Sequence, residues 1–249
     1  MKILLNIATH GDENIGFEVA KEIKKLNIDQ NIFIVQIANK KAFGLHKRFI
    51  DQDLNRSFPG KKRGNYEERR AYELLPIIKS VDLVIDIHST TSDLKDTLIV
   101  TKLDSKTLKY VKIIQPKHVL VMNATKDNAL ISAAKIGIAF EYGGDNNKEV
   151  LQKTILGIKR LLNYLGIINE KLPVTSIKTI YYDVISTVTR LRGYKLNSNI
   201  KNYKLVRKGV LIAEKGKDLL VAEEDFYPIL FFEKSYKDYF GFKAKKIKI

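Results

Sequence analysis

The chain contains no cysteine among its 249 residues. That absence excludes a disulfide framework, a thiol nucleophile and a cysteine-based zinc finger, and it leaves His, Asp and Glu as the metal-ligating side chains. It is compatible with a reducing, intracellular setting. No apolar run approaches the roughly 20 residues that a membrane-spanning helix needs. The opening Met1-Lys2-Ile3-Leu4-Leu5-Asn6-Ile7 turns polar too early for a secretory signal. Internal repeats and low-complexity linkers are also missing. The expectation is a soluble, cytoplasmic protein with no membrane contact. A chain of this length buries roughly 70 to 75% of its unfolded surface, enough core to hold without staples.

Acidic residues are in deficit: 44 Lys plus Arg stand against 28 Asp plus Glu, a net charge of +16. Such a balance favours polyanions on electrostatic grounds. The densest clusters, Lys61-Lys62-Arg63 and Lys243, Lys245, Lys246 and Lys248, lack the interleaved aromatics of a single-strand platform. A solvated Lys-rich surface accounts for them, and nucleic acid is not an expected partner. The final cluster reads as a tail able to touch acidic partners.

From Met1 to about Leu165, short β-rich runs alternate with helical stretches, which predicts an α/β fold: a mixed sheet flanked by helices. Runs at 3–8, 32–38, 81–87, 97–100, 118–122 and 136–140 are rich in Ile, Val, Leu and Phe. Several are continuously apolar, as expected for strands buried on both faces. Apolar residues at three- and four-residue spacing predict helices over 14–26, 65–80 and 147–165. After Gly166 the texture becomes Thr-, Val-, Ile- and Tyr-rich with regularly placed glycines. We therefore expect a catalytic domain over 1–168 and a small antiparallel β subdomain over 169–249, set apart from the α/β layer.

Four segments carry chemistry. His10-Gly11-Asp12-Glu13 lies where the first strand gives way to the first helix, at the carboxyl end of a strand, where α/β sheets bind ligands. His88 closes the run Val84-Ile85-Asp86-Ile87-His88. His10, Glu13 and His88 form a two-His, one-Glu set of the kind that holds catalytic zinc with an open position. Asp86 shares a strand face with His88 and can orient it. The run Arg48 to Gly60 holds two Arg, one Asn and two Asp in a loop, and its guanidinium forks match carboxylate geometry. Glu141 ends an apolar strand before Gly143-Gly144, placed to take a proton from an activated water. His46 and His118 read as a surface loop and a strand end.

His-x-x-Glu after the first strand, Arg48-Phe49-Ile50-Asp51-Gln52-Asp53-Leu54-Asn55-Arg56, a strand-end His88 and Glu141-Tyr142-Gly143 stand in an order that resembles the aspartoacylase/succinylglutamate desuccinylase family of zinc deacylases. Tyr227-Pro228 followed by Glu233-Lys234-Ser235-Tyr236 is similar to that family's C-terminal Glu-x-x-Tyr segment. The resemblance implies a zinc carboxypeptidase-like fold, one Zn2+ per chain held by His10, Glu13 and His88, and Glu141 as general base. It implies that Arg48 polarises the scissile carbonyl, that Asn55 and Arg56 hold the substrate α-carboxylate, that Tyr236 contacts substrate and that Asp53 buttresses the loop. The implied substrate is a small N-acyl amino acid.

One position departs from the pattern. Where aspartoacylases carry an Arg for the side-chain carboxylate of acetylaspartate, this chain has Ile131. A pocket lined by Ile131 disfavours N-acetylaspartate unless another cation such as Lys135 takes over. A metallocarboxypeptidase acting on peptides and a basic, non-catalytic polyanion-binding protein are the alternative readings. The oligomeric state stays open, a homo-oligomer included.

Overall fold

The computed structural model describes residues 1–29, 32–122, 127–232 and 236–249. A nine-stranded mixed sheet runs through it. The strands that position the site are β1 (Ile3–Ile7), β3 (Leu83–His88) and β6 (Gly137–Glu141), three parallel neighbours with β1 and β6 on either side of β3. Beyond β1 lies β2 (Phe33–Ile37), and beyond β6 lies β4 (Thr97–Val100), which runs antiparallel to it. β5 (His118–Val121) and β7 (Ile180–Thr189) continue the sheet from β4.

Strand alternation explains the two cores. Ile3, Leu5 and Ile7 of β1 and Leu83, Ile85 and Ile87 of β3 face one layer, with α1 (Ile15–Lys24), α4 (Ser105–Ile114) and α5 (Lys148–Tyr164) in contact. Leu4 and Val84 face the other layer, where α3 (Tyr66–Ser80) supplies Ala71, Leu74 and Ile78. Asn6, Asp86 and His88 share that second face because successive strand side chains point oppositely. The start of α3 is legible in sequence: Asn65 accepts from Glu68 N at 3.0 Å, and Glu68 accepts from Asn65 N at 2.9 Å, a reciprocal capping box.

Helices predicted over 14–26, 65–80 and 147–165 are all present with trimmed ends. Two others were not predicted. α2 (Lys40–Gly44) is a single turn, and α4 begins at an Asp104 cap. The β-rich tail also differs from expectation. β8 (Lys195–Leu196), β9 (Leu211–Lys215) and β10 (Asp218–Val221) form a separate antiparallel sheet, whereas β7, β11 (Tyr227–Ile229) and β12 (Tyr239–Ile247) extend the main one. The Lys-rich end is therefore not a loose tail. Alternation along β12 buries Phe242 and Ala244 on one face, and Lys243 and Lys245 on the other approach Glu224 to 3.8 and 3.3 Å. Among the described residues, no helix is long and apolar enough to cross a membrane.

Candidate active site

Three parallel strand ends bring the chemistry together. His88 and Glu141 are paired in register as the last residues of β3 and β6. His10 and Glu13 occupy the turn after β1. That turn begins with Ala8 at φ 52°, a left-handed conformation costing roughly 1–2 kcal/mol for a residue with a Cβ. The carbonyl of Ala8 accepts from Asn39 N at 2.9 Å, which supports the turn from the β2–α2 connection.

Glu13 sits between the imidazoles. Its Oε1 lies 2.6 Å from Nδ1 of His10, and its Oε2 lies 3.0 Å from Nδ1 of His88. The opposite ring nitrogens meet aspartates: Nε2 of His10 is 3.1 Å from Asp53, and Nε2 of His88 is 2.8 Å from Asp86. Asp86 is itself held by Asn6 Nδ2 at 2.7 Å and Thr9 Oγ1 at 2.8 Å. One ligand atom from each of His10, Glu13 and His88 falls within 4.8 Å of the others. All three residues are buried. Two imidazoles presenting the same nitrogen, each with its other nitrogen on a carboxylate, plus one carboxylate make a donor set that fits a divalent metal such as zinc.

The electrostatics are strongly coupled. Burial opposes the charged form of His10, but Glu13 and Asp53 outweigh it and raise its pKa. Burial likewise opposes the His88 imidazolium, and Asp86 and Glu13 push its pKa well above the usual histidine value. Burial would raise Glu13, yet His10 and His88 hold it well below the ordinary carboxylate range. Asp53 is depressed in the same way, against burial, by His10 and then Arg48 and Arg56.

The loop between α2 and α3 lies against this cluster. Arg48 comes within 3.5 Å of both Glu13 and Asp53. Asp53 accepts from Asn55 N at 2.8 Å, and Asn55 Oδ1 accepts from Leu130 N at 2.9 Å. Leu54 and Phe58 are buried beside Leu4 and Val84, each worth about 1.5–3 kcal/mol of anchoring. Thus the Arg-Asn-Asp run is not a solvated surface loop. His10, Arg48, Asp53, Asn55, Arg56, His88, Glu141 and Tyr236 all line one cavity. Its apolar side is formed by Ile99, Met122, Ala129, Ile131, Ala139 and Leu230. Lys135 does not join it: exposed on the surface, its Nζ lies 3.5 Å from Asp82.

Tyr236 enters from between β11 and β12, its ring 4.4 Å from that of Tyr239. Burial and then Tyr239 drive its hydroxyl pKa well upward. Glu233, Lys234 and Ser235 lie outside the described residues. Several contributors escaped sequence reasoning, Ile99, Met122, Ala129 and Ala139 of the lining among them. Tyr239 lies close enough to Arg56 for the guanidinium charge to act on its hydroxyl, and Leu230 comes from a distant turn. Glu67 has a buried carboxylate that accepts three loop N–H groups. Glu67 alone left a signal, since a carboxylate next to a capping-box Glu in the first helical turn is one charge more than capping needs. His118 is a buried strand-start residue, stacked 3.8 Å from Tyr203 and away from the cavity lining. A wider groove of about 680 Å³ between α1 and β2 is lined largely by apolar side chains such as Ile23, Phe33 and Val35.

Known proteins share this arrangement of elements. A probable aspartoacylase from Nostoc sp. is 33% identical over 180 residues, covering 63% of this chain and 61% of that protein. An N-acyl-aromatic-L-amino acid amidohydrolase (carboxylate-forming) from Xenopus tropicalis is 27% identical over 92% of this chain and 86% of its own length. Murine aminoacylase 3 superposes with a TM-score of 0.82 at 20% identity, over 99% of this chain and 95% of that one, which establishes a common fold. Residues 1–165 match the succinylglutamate desuccinylase/aspartoacylase catalytic domain. That span contains β1, β3, β6 and the Arg48–Arg56 loop, so the chain belongs to the succinylglutamate desuccinylase/aspartoacylase family.

Proposed function

We propose that this protein is a zinc-dependent hydrolase of N-acyl amino acids, splitting the amide into a carboxylate and a free amino acid. The observation that carries this reading is the convergence of His10, Glu13 and His88 with Glu141 and Arg48 at three parallel strand ends. Its relatives' names as aspartoacylase and N-acyl amino acid amidohydrolase point the same way. One zinc ion per chain would be held by His10, Glu13 and His88. Zinc so bound supplies Lewis acidity and lowers the pKa of water towards neutrality.

The rest falls to the chain. Glu141 takes a proton from the attacking water and returns it to the leaving amine as the carbon–nitrogen bond breaks. Arg48 donates to the carbonyl oxygen, where negative charge develops. Asn55, with its Oδ1 occupied by Leu130 N, has its amide donor left for the α-carboxylate, which Arg56 also binds. Tyr236 contacts substrate from the C-terminal half. In this reading residues 1–168 are the catalytic domain, and 169–249 complete the pocket.

The test is Glu141→Gln, assayed beside wild type on a panel of N-acyl amino acids and C-terminal peptides, with metal content measured by plasma mass spectrometry. Loss of turnover with about one zinc per chain retained is expected. Activity above a few per cent of wild type would remove Glu141 from its role. Preference for peptides would make the protein a carboxypeptidase instead.

A further inference from the structure

Glu67 lies on α3, outside the cavity lining. It is fully buried, and its carboxylate collects four donors: Ile50 N at 2.7 Å, Asp51 N at 3.0 Å, Gln52 N at 3.3 Å and Asn39 Nδ2 at 3.1 Å. Three successive N–H groups pointing at one anion form a nest. Here the anion belongs to the protein. The exchange is reciprocal, because Asp51 Oδ2 accepts from Tyr66 N at 2.8 Å at the start of the same helix.

The nest covers residues 50–52, and functional side chains stand directly on both sides. Arg48 lies two residues before it, while Asp53 follows it at once and leads into Asn55 and Arg56. The fourth donor reaches the metal-ligand turn. Asn39 binds the Ala8 carbonyl through its N–H, and Gly11 N donates to Arg48 O at 3.1 Å. One buried carboxylate thus joins the turn bearing His10 and Glu13 to the loop bearing Arg48 and Asp53.

We propose that Glu67 is a positioning residue for the hydrolytic reaction, an internal anion that sets Arg48 and Asp53 against the His10-Glu13-His88 cluster without touching substrate. Hydrogen bonds to an ionised acceptor are about twice as strong as neutral ones, which suits a junction that must hold two loops in one register. A shift of about 1 Å in a catalytic group can cost on the order of 100-fold in rate, so the loop has little latitude. This inference rests on the hydrolase reading above for its consequence, although not for its geometry.

The decisive variant is Glu67→Gln, which keeps the shape but gives two of its four donors an NH2 in place of an oxygen. Three readouts are taken on the full chain: kcat and KM, the thermal midpoint, and hydrogen exchange of the Ile50, Asp51 and Gln52 amides. A fall of about 100-fold in kcat/KM, carried mostly by kcat, is expected at temperatures where the variant is folded, with faster exchange confined to those amides. Glu67→Ala should regain part of its kcat with added formate, which can enter the vacated nest. A lower thermal midpoint with kcat/KM within twofold of wild type would make Glu67 merely structural and overturn the proposal. Unchanged amide exchange would overturn it equally. If Glu67→Gln does not fold, Glu67→Asp takes its place with the same readouts and the same two overturning results. Should the wild type hydrolyse no acyl amino acid, the function fails, and exchange still decides whether Glu67 holds the loop.

Discussion

Nε2 of His88 stands 2.8 Å from Oδ2 of Asp86, whose other oxygen is held by Asn6 and Thr9. This chain of buried contacts leaves Nδ1 of His88 facing Glu13. An imidazole oriented by a carboxylate is a better metal ligand, and removing such a partner typically costs 10- to 100-fold in affinity. Asp86→Asn should therefore weaken zinc binding by about that factor, measured by competition with a chromophoric chelator. An affinity equal to that of wild type would mean that Asp86 serves stability alone.

Ile131 lines the apolar side of the cavity together with Ile99, Met122 and Leu230, and Lys135 points away to Asp82. Among the described residues that line this side none is a cation, so a substrate side-chain carboxylate desolvated against them is costly. Wild type should favour uncharged side chains over N-acetylaspartate by about 100-fold in kcat/KM, the range that one mismatched pocket group commands. Ile131→Arg should narrow that ratio. Efficient turnover of N-acetylaspartate by the wild type would place a different cation on the side chain.

Stability of the metal-free protein should depend on pH through the buried cluster. The His10 and His88 pKa values are raised, so their contribution is full below about 6.5, the unfolded value, and is lost as pH rises through the folded values. Glu13 and Asp53 are depressed, so theirs is present above about 4 and is lost only in strong acid. The metal-free chain should gain most from the cluster between about pH 4.5 and 6.5. Thermal midpoints in chelator should show the advantage of wild type over His88→Ala shrinking towards pH 9. Saturating zinc should reverse that trend, since ligation requires neutral imidazoles. An advantage that grows with pH in chelator would contradict the coupling.

Gly11 has no room for a side chain. A Cβ built there would meet the Ala42 carbonyl carbon at 2.2 Å and Phe43 N at 2.3 Å. Backbone cannot yield as a flexible side chain can, so Gly11→Ala must part the His10 turn from α2 and strain the Gly11 N to Arg48 O bond. The expected cost is about 1–3 kcal/mol in stability, together with weaker zinc binding. Urea unfolding read beside chelator competition tests both. A variant as stable as wild type would show that the turn can slide over α2.

Much of the site was legible because its residues sit at strand ends, and strand ends can be read from local pattern. The apolar runs before His10, His88 and Glu141 announce buried strands, and their polar terminations mark where each strand stops. The Arg48–Arg56 loop was legible through its density of guanidinium, carboxylate and amide groups, which a plain connection does not need. Tyr239 and Leu230 were not legible, and Glu67 showed only as a spare carboxylate in the first turn of α3. Each matters through partners far away in sequence, as when Asn39 and Ile50 meet the Glu67 carboxylate. The Lys-rich end misled for a related reason: Phe242 and Ala244 are buried, but Lys243, Lys245 and Lys246 beside them hide the strand in the sequence.

By itself the sequence determined the strand and helix periods, the reserve of His, Asp and Glu available without cysteine, and the order in which those groups follow the chain. Those properties belong to single residues and their near neighbours. Which strands lie side by side, which nitrogen of each imidazole faces Glu13, and which distant carboxylate holds the Arg48 loop were decided by tertiary structure alone. Parallel pairing of β1, β3 and β6 brings residues up to 131 positions apart into one site, and only the packed sheet specifies that pairing.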